Sequence, residues 1–361
     1  MSLLFLSLLP LLAIFHLVMW FGFTRTLFRP ETGDLKRMGY LVGLEDRMRE
    51  LRAGEKQTGQ PVLGLSDVAE GQPVATVIFG DSFATSLAKA CQAQSGETVV
   101  AVGMSWDSGN GLGQIESRLT DPWFRAHGVK TIVVERVEYA WLETFTEEEK
   151  PVETAPRPAP GRGLPSSQSA GDGAGGGSPA PALHPKAPHW TFANNGNFKV
   201  LLYNFGYLFS PTAFKMTNTC IVRLKRKFFT CSYGDKLLFY RGDFQGAETD
   251  RNRDRVEKAL ERLRELADFC RQQGFRFQMV VPPEKSYLYY DWVKHPFYHD
   301  SKLLETLQAR ATDSGYVDVK QVFHEKLAEG YQDLYYPDDL HWNYPAAEMA
   351  AAELGRAQDG P

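Results

Sequence analysis

The chain has 361 residues, 43% of them hydrophobic, which suffices for one large packed domain or two modest ones. Its net charge of −4, with acids and bases interspersed, gives no basic surface of the kind nucleic-acid binding requires. The four cysteines (Cys91, Cys220, Cys231, Cys270) form no C-x-x-C pair, which argues against a zinc site; Cys220 and Cys231 are the nearest pair for a disulfide, and otherwise all four read as small buried side chains.

Residues 3–23, LLFLSLLPLLAIFHLVMWFGF, are almost wholly apolar. That length crosses a hydrocarbon core of about 30 Å as one helix. The stretch has neither the basic start nor the small-residue cleavage site of a signal peptide, so residues 1–23 are expected to be an uncleaved transmembrane anchor. Arg25, Arg29, Lys36 and Arg37 follow it, and the positive-inside rule would put the rest of the chain in the cytoplasm. The chemistry read below requires the other side, and the two readings conflict. Residues 24–73 read as a polar juxtamembrane segment with one helix near 34–53.

An alternation then begins. VATVIFG (74–80), ETVVAVGM (97–104) and VKTIVVERV (129–137) are short runs rich in β-branched residues, separated by helix-like segments at 84–94 and about 111–126. This pattern predicts right-handed βαβ units and a parallel sheet. Residues 150–189, which contain PRPAPGRGLPSSQSAGDGAGGGSPAPALHP, cannot build a core and are expected to be a flexible insertion. Residues 190–245 are aromatic-rich and carry the basic cluster Arg223, Lys225, Arg226 and Lys227, read as a solvated helix face or as a contact for membrane head groups.

From about Thr249 to Gln273 the apolar residues Val256, Leu260, Leu263, Ala267 and Cys270 form one helical stripe, which Gly274 is placed to end. FRFQMVVPP (275–283) is a further buried strand, followed by a helix near 300–313 and a short strand in GYVDV (315–319). The alternation resumes beyond the insertion, so residues 74–361 are expected to form one α/β domain.

Two stretches carry candidate chemistry. VIFGDSFATSLAKA (77–90) sets Gly80-Asp81-Ser82 where a buried strand turns into a helix. A serine there is exposed at the carboxyl end of a parallel sheet, beside helix N–H groups able to stabilise an oxyanion, although it would also serve as a plain helix cap. DDLHWN (338–343) supplies the base and acid that an activated serine needs, with His341 preceded by Asp338 and Asp339. The order is serine first, histidine last.

These two blocks resemble the G-D-S turn and D-x-(x)-H motif of SGNH hydrolases, also called GDSL esterases. GDKLLFYRGD (234–243), VVPPEKSYLYYDWV (280–293), YYPDDLHWN (335–343) and VVERVEYAWL (133–142) further resemble signatures of alginate O-acetyltransferase-type proteins, and the similarity runs over roughly 76–355. The resemblance implies a three-layer, flavodoxin-like SGNH domain on the extracytoplasmic side of the cell membrane. It implies acetyl transfer through an ester on Ser82 to a cell-surface or secreted polysaccharide, supplied by a multi-spanning membrane acyltransferase. The alternatives are an esterase with water as acceptor and a non-catalytic subunit of an acetylation or export complex. No metal or cofactor is required.

Two features depart from those families. In the alginate-type proteins the D-x-H-W block precedes the serine block, whereas here Ser82 comes first. The G-x-N-D block of SGNH enzymes is missing, and Glu135-Arg136 stands at the corresponding strand end. Backbone groups near Ser82 and Gly103, with Ser105 as a further donor, are the expected oxyanion site; Arg136 either substitutes there or pins the loop. Ordinary SGNH spacing selects Asp338 as the acid; the alginate-type spacing, toward which the other motifs lean, selects Asp339. Lys285 is expected to be solvated or paired with a carboxylate, and Trp342 to pack the loop rather than to form a sugar platform.

Overall fold

The computed structural model describes residues 61–104, 111–146, 219–231, 233–240, 242–243 and 253–359, together with 10–11, 13–14, 47 and 50–52. Almost all of the expected anchor, the insertion at 150–189 and Ser105 lie outside these residues. Among the described residues no helix is long and apolar enough to cross a membrane.

The strands are β1 (Thr76–Gly80), β2 (Val99–Gly103), β3 (Thr131–Glu135), β4 (Thr219–Arg223), β5 (Lys236–Tyr240), β6 (Arg276–Val280) and β7 (Tyr316–Val317). The helices are α1 (Ala84–Ser95), α2 (Gly111–Leu119), α3 (Pro122–Ala126), α4 (Glu138–Thr146), α5 (Arg253–Gln272), α6 (Lys285–Leu288), α7 (Leu303–Arg310), α8 (Val319–Ala328) and α9 (Tyr344–Asp359). Five strands make a parallel sheet in the order β2-β1-β3-β6-β7. The protein is α/β, as the alternating pattern predicts.

Strand side chains alternate between two cores. Ile78, Val133 and Val280 point to the face covered by α1, α8 and α9, whereas Val77, Phe79, Ile132, Val134, Phe277 and Met279 point to the face covered by α2, α4, α5 and α7. Both faces being covered, the strands read as continuous apolar runs rather than as alternating ones. The stripe predicted on α5 is buried at Val256, Leu260, Leu263, Ala267 and Cys270, and Gly274 takes φ +86° just beyond the helix.

Two local readings differ from expectation. The segment at 111–126 is two helices, because Asp121 caps a new one: its side chain accepts from Trp123 N at 2.9 Å, and Pro122 occupies the first turn. The basic cluster is not on a helix. Arg223 ends β4, which pairs antiparallel with β5, and Lys225, Arg226 and Lys227 follow in an exposed turn. In TCIVR, Cys220 and Val222 face the core while Ile221 is half-buried and Arg223 exposed, which is the period of a strand. The cysteines are free thiols, with Cys220 and Cys270 buried and Cys91 and Cys231 half-buried.

The crossing from β1 to α1 depends on Gly80. A Cβ there would stand 2.4 Å from Glu135 Oε2 and 2.8 Å from Ala84 Cβ. Gly80→Ala is therefore expected to cost about 1–3 kcal/mol, read as a lower melting temperature.

Candidate active site

In a sheet of this order the connections leave β1 and β3 in opposite directions, and a crevice opens at their carboxyl ends. Ser82 lies two residues beyond β1 at that crevice and is exposed. Its turn is held from both sides. Asp81 N donates to Glu135 Oε2 at 2.9 Å, and Asp81 Oδ1 accepts from Phe83 N at 3.1 Å. Arg136 reaches Asp81 Oδ2 at 3.5 Å and Thr144 Oγ1 at 2.9 Å. Phe83, not Ser82, occupies the cap position of α1, so the Ser82 hydroxyl has no capping duty.

The histidine arrives on a loop folded back on itself. Asn343 N donates to Leu334 O at 2.9 Å, Tyr336 N donates to His341 O at 3.1 Å, and Tyr335 bridges Trp342 between them. Asn343 Oδ1 accepts from Ala346 N at 3.2 Å and so starts α9. Trp342 fastens the loop to α1. Its indole N–H donates to Ser86 Oγ at 2.7 Å, and its buried ring meets Phe83 and Phe323 edge-on, with centroids 5.2 Å and 5.9 Å away. This is the packing role expected of Trp342.

The result is a continuous line of hydrogen bonds. His341 Nε2 lies 2.5 Å from Ser82 Oγ, and His341 Nδ1 lies 2.7 Å from Asp339 Oδ1. A carboxylate only accepts, so Nδ1 carries the proton and Nε2 of the neutral ring is left to accept from the serine hydroxyl. The acid on His341 is Asp339, whose other oxygen accepts from Arg52 Nη2 at 2.8 Å. Burial alone would push the Asp339 carboxyl up. The hydrogen bond and charge of His341, with the charge of Arg52, outweigh it and hold the group well below the usual carboxylate range. Asp338 is also buried, and its charge bears on Lys285.

Lys285 is neither solvated nor ion-paired in the expected way. It is 1% exposed, and its ammonium donates to Tyr336 O at 2.9 Å, Asp339 O at 3.0 Å and Pro337 O at 3.3 Å. The three donors of an ammonium thus converge on one loop, the one bearing Asp339 and His341. Burial lowers its pKa to about 8, against the pull of Asp339, Asp338 and Asp243, so it stays charged at neutral pH. Nothing in the spacing of PPEK distinguishes a lysine turned inward from one in solvent, which is why the sequence reading missed it.

A second buried group escaped the sequence reading. Glu284 N donates to Glu138 Oε2 at 2.9 Å, Tyr139 N donates to Glu284 Oε1 at 3.4 Å, and Asp243 faces Glu284. Burial pushes both Asp243 and Glu284 up, Glu284 the further because the charges of Asp243 and Glu138 add to it. Two carboxyls so placed do not both ionise.

Gly103 ends β2, level with Gly80 across the sheet, and is exposed beside the serine turn. Met104 N donates to Gly80 O at 2.9 Å and ties the two strand ends together. Ser105 lies outside the described residues, and Arg136 is engaged with Asp81 and Thr144 as a brace for the turn. Among the described residues no group of three or more metal-ligating side chains converges.

The arrangement puts a serine hydroxyl within hydrogen-bond distance of a histidine at the mouth of an α/β sheet. Residues 234–359 match the family model of the SGNH hydrolase-like domain, acetyltransferase AlgX. The matched segment carries Asp243, Lys285, Asp339 and His341; Ser82 lies outside it. No curated protein and no solved structure matches the chain.

Two outcomes follow from this geometry. Asp339→Asn is expected to slow the labelling of Ser82 by a fluorophosphonate by about three to four orders of magnitude, and Asp338→Asn to slow it far less. For the acid pair, the folded state holds a proton that the unfolded chain releases above its ordinary carboxyl values of 3.8 and 4.5. Stability from this pair is therefore greatest at low pH and falls as pH rises through neutrality. Glu284→Gln keeps the acceptor for Tyr139 N without the titration, and its melting temperature is expected to gain on the wild type steadily from pH 5 to pH 8.

Proposed function

We propose that the protein is an SGNH-type O-acyltransferase that acetylates a cell-surface or secreted polysaccharide through an ester on Ser82. The observation that carries this reading is the hydrogen-bonded line from Ser82 through His341 to Asp339, within a chain whose C-terminal part matches an acetyltransferase domain.

His341 Nε2 takes the Ser82 proton as Oγ attacks the acyl carbonyl. The negative charge that develops on the carbonyl oxygen is met by backbone N–H groups at the start of α1 and around Gly103. Collapse of this adduct expels the donor's leaving group, which takes the proton from the imidazolium and leaves acetyl-Ser82. A sugar hydroxyl then gives its proton to His341, attacks the ester, and releases Ser82 by the reverse steps. Asp339 keeps Nδ1 protonated and stabilises the imidazolium in both halves. In this reading residues 1–23 anchor the domain to the cell membrane on its extracytoplasmic side, and a multi-spanning membrane acyltransferase supplies the acetyl group.

The exposure of Ser82 favours one further reading. Water reaches an open serine as readily as a sugar does, and the same relay then works as a carbohydrate or lipid esterase. The purified full-length protein is therefore assayed with p-nitrophenyl acetate, with and without oligosaccharide acceptors. Acetylated oligosaccharide formed by the wild type and lost in Ser82→Ala is the expected result. Acetate release alone, unchanged by any acceptor, supports the esterase. Polysaccharide acetylation that persists in cells carrying Ser82→Ala overturns both and leaves a non-catalytic subunit.

A further inference from the structure

The loop that bears the acid and the base is gripped from outside by one short piece of chain. Arg52 Nη2 donates to Asp339 Oδ2 at 2.8 Å, and its guanidinium stands over the Tyr336 ring at 5.5 Å. Five residues earlier, Arg47 Nη2 donates to Asp333 Oδ2 at 2.7 Å. Asp333 lies at the root of the same loop and takes φ +58°, a left-handed backbone state uncommon outside glycine, asparagine and aspartate. Both of its carboxylate oxygens are held. Oδ1 accepts from Thr230 N at 3.0 Å and Oδ2 from Thr230 Oγ1 at 2.5 Å as well as from Arg47. The two arginines thus seize the loop at its root and at its acid, and both carboxylates are almost wholly buried, at 4% and 6% side-chain exposure.

The Arg52 contact has a specific chemical effect. A carboxylate that orients a histidine through one oxygen can rotate about its Cβ–Cγ bond and offer the other. With Oδ2 occupied by a guanidinium and Oδ1 by His341 Nδ1, rotation breaks two charge-assisted hydrogen bonds at once. The carboxylate plane, and through it the imidazole that faces Ser82, is fixed. Lys285 donates to the backbone carbonyls of the same loop, a constraint on the chain rather than on the plane of the Asp339 carboxylate.

The geometry points to Arg52 as a positioning residue of the Ser82–His341–Asp339 relay, delivered by the segment that precedes the α/β domain. This assignment rests on the acyl-transfer reading above. It makes the stretch around 47–52 part of the working site rather than a spacer between an N-terminal anchor and an independent enzyme.

The test uses the full chain with p-nitrophenyl acetate as the acyl donor. Arg52→Ala is expected to lower kcat by on the order of ten- to a hundredfold, since small misplacements of a reacting group carry losses of this size, with KM little changed. Ethylguanidinium added to Arg52→Ala is expected to restore kcat in a saturable way, because the vacated position is partly open to solvent. Arg52→Lys, which keeps the charge but not the fork, is expected to fall between wild type and Arg52→Ala. A rescue by ethylguanidinium is something a merely structural role would not produce. Wild-type kcat in Arg52→Ala overturns the assignment, as does a loss that tracks a lowered melting temperature and is not rescued. Absence of turnover in the wild type overturns the acyl-transfer reading and this assignment with it.

Discussion

The burial of one carboxylate governs the site. Asp339 is 4% exposed, and an unpaired carboxylate at that depth would take up a proton and cease to orient a histidine. It stays ionised because each of its polar atoms is met. His341 takes one oxygen, Arg52 the other, and the ammonium of Lys285 takes the backbone carbonyl and adds its field. The apolar contacts, Trp342 on Phe83 and Phe323, keep the loop pressed to α1.

A contrast lies a short way off. Asp243 and Glu284 are as deeply buried as Asp339, yet there burial prevails and both are pushed up. At Asp243 the hydrogen bonds of its neighbours and the charge of Lys285 offset burial only in part, and at Glu284 the charges of Asp243 and Glu138 add to it. At Asp339 the hydrogen bond and charge of His341, with the charge of Arg52, outweigh burial. The same side-chain chemistry thus gives an ionised acid at the serine relay and a proton-holding pair behind it, through placement alone.

The sheet was legible because a strand covered on both faces leaves an uninterrupted β-branched run, as in VATVIFG and VKTIVVERV. The serine turn and the histidine were legible as types in context, and motif register pointed from Asp338 toward Asp339, the residue that meets His341. The β4–β5 hairpin was not, because its strands are short and the basic residues at its end outweigh TCIVR in any helical reading. Lys285, Arg52 and the acid pair were not legible for a different reason. Their roles are set by which way a side chain turns and by partners up to 287 positions away, as for Arg52 and Asp339, and neither leaves a local pattern.

The sheet order bears on how such a site is put together. Ser82 follows β1 and the loop of His341 follows β7, but β3 stands between the two halves and pairs with both β1 and β6. Parallel strands are indifferent to the sequence in which loops join them, since each presents its carboxyl end on the same side. A half that carries Ser82 and a half that carries His341 can therefore be joined in either order around β3 and still meet at one rim. Chain order then sets no condition on the geometry, and a serine 259 positions ahead of the histidine it faces can lie outside the segment that matches the family model.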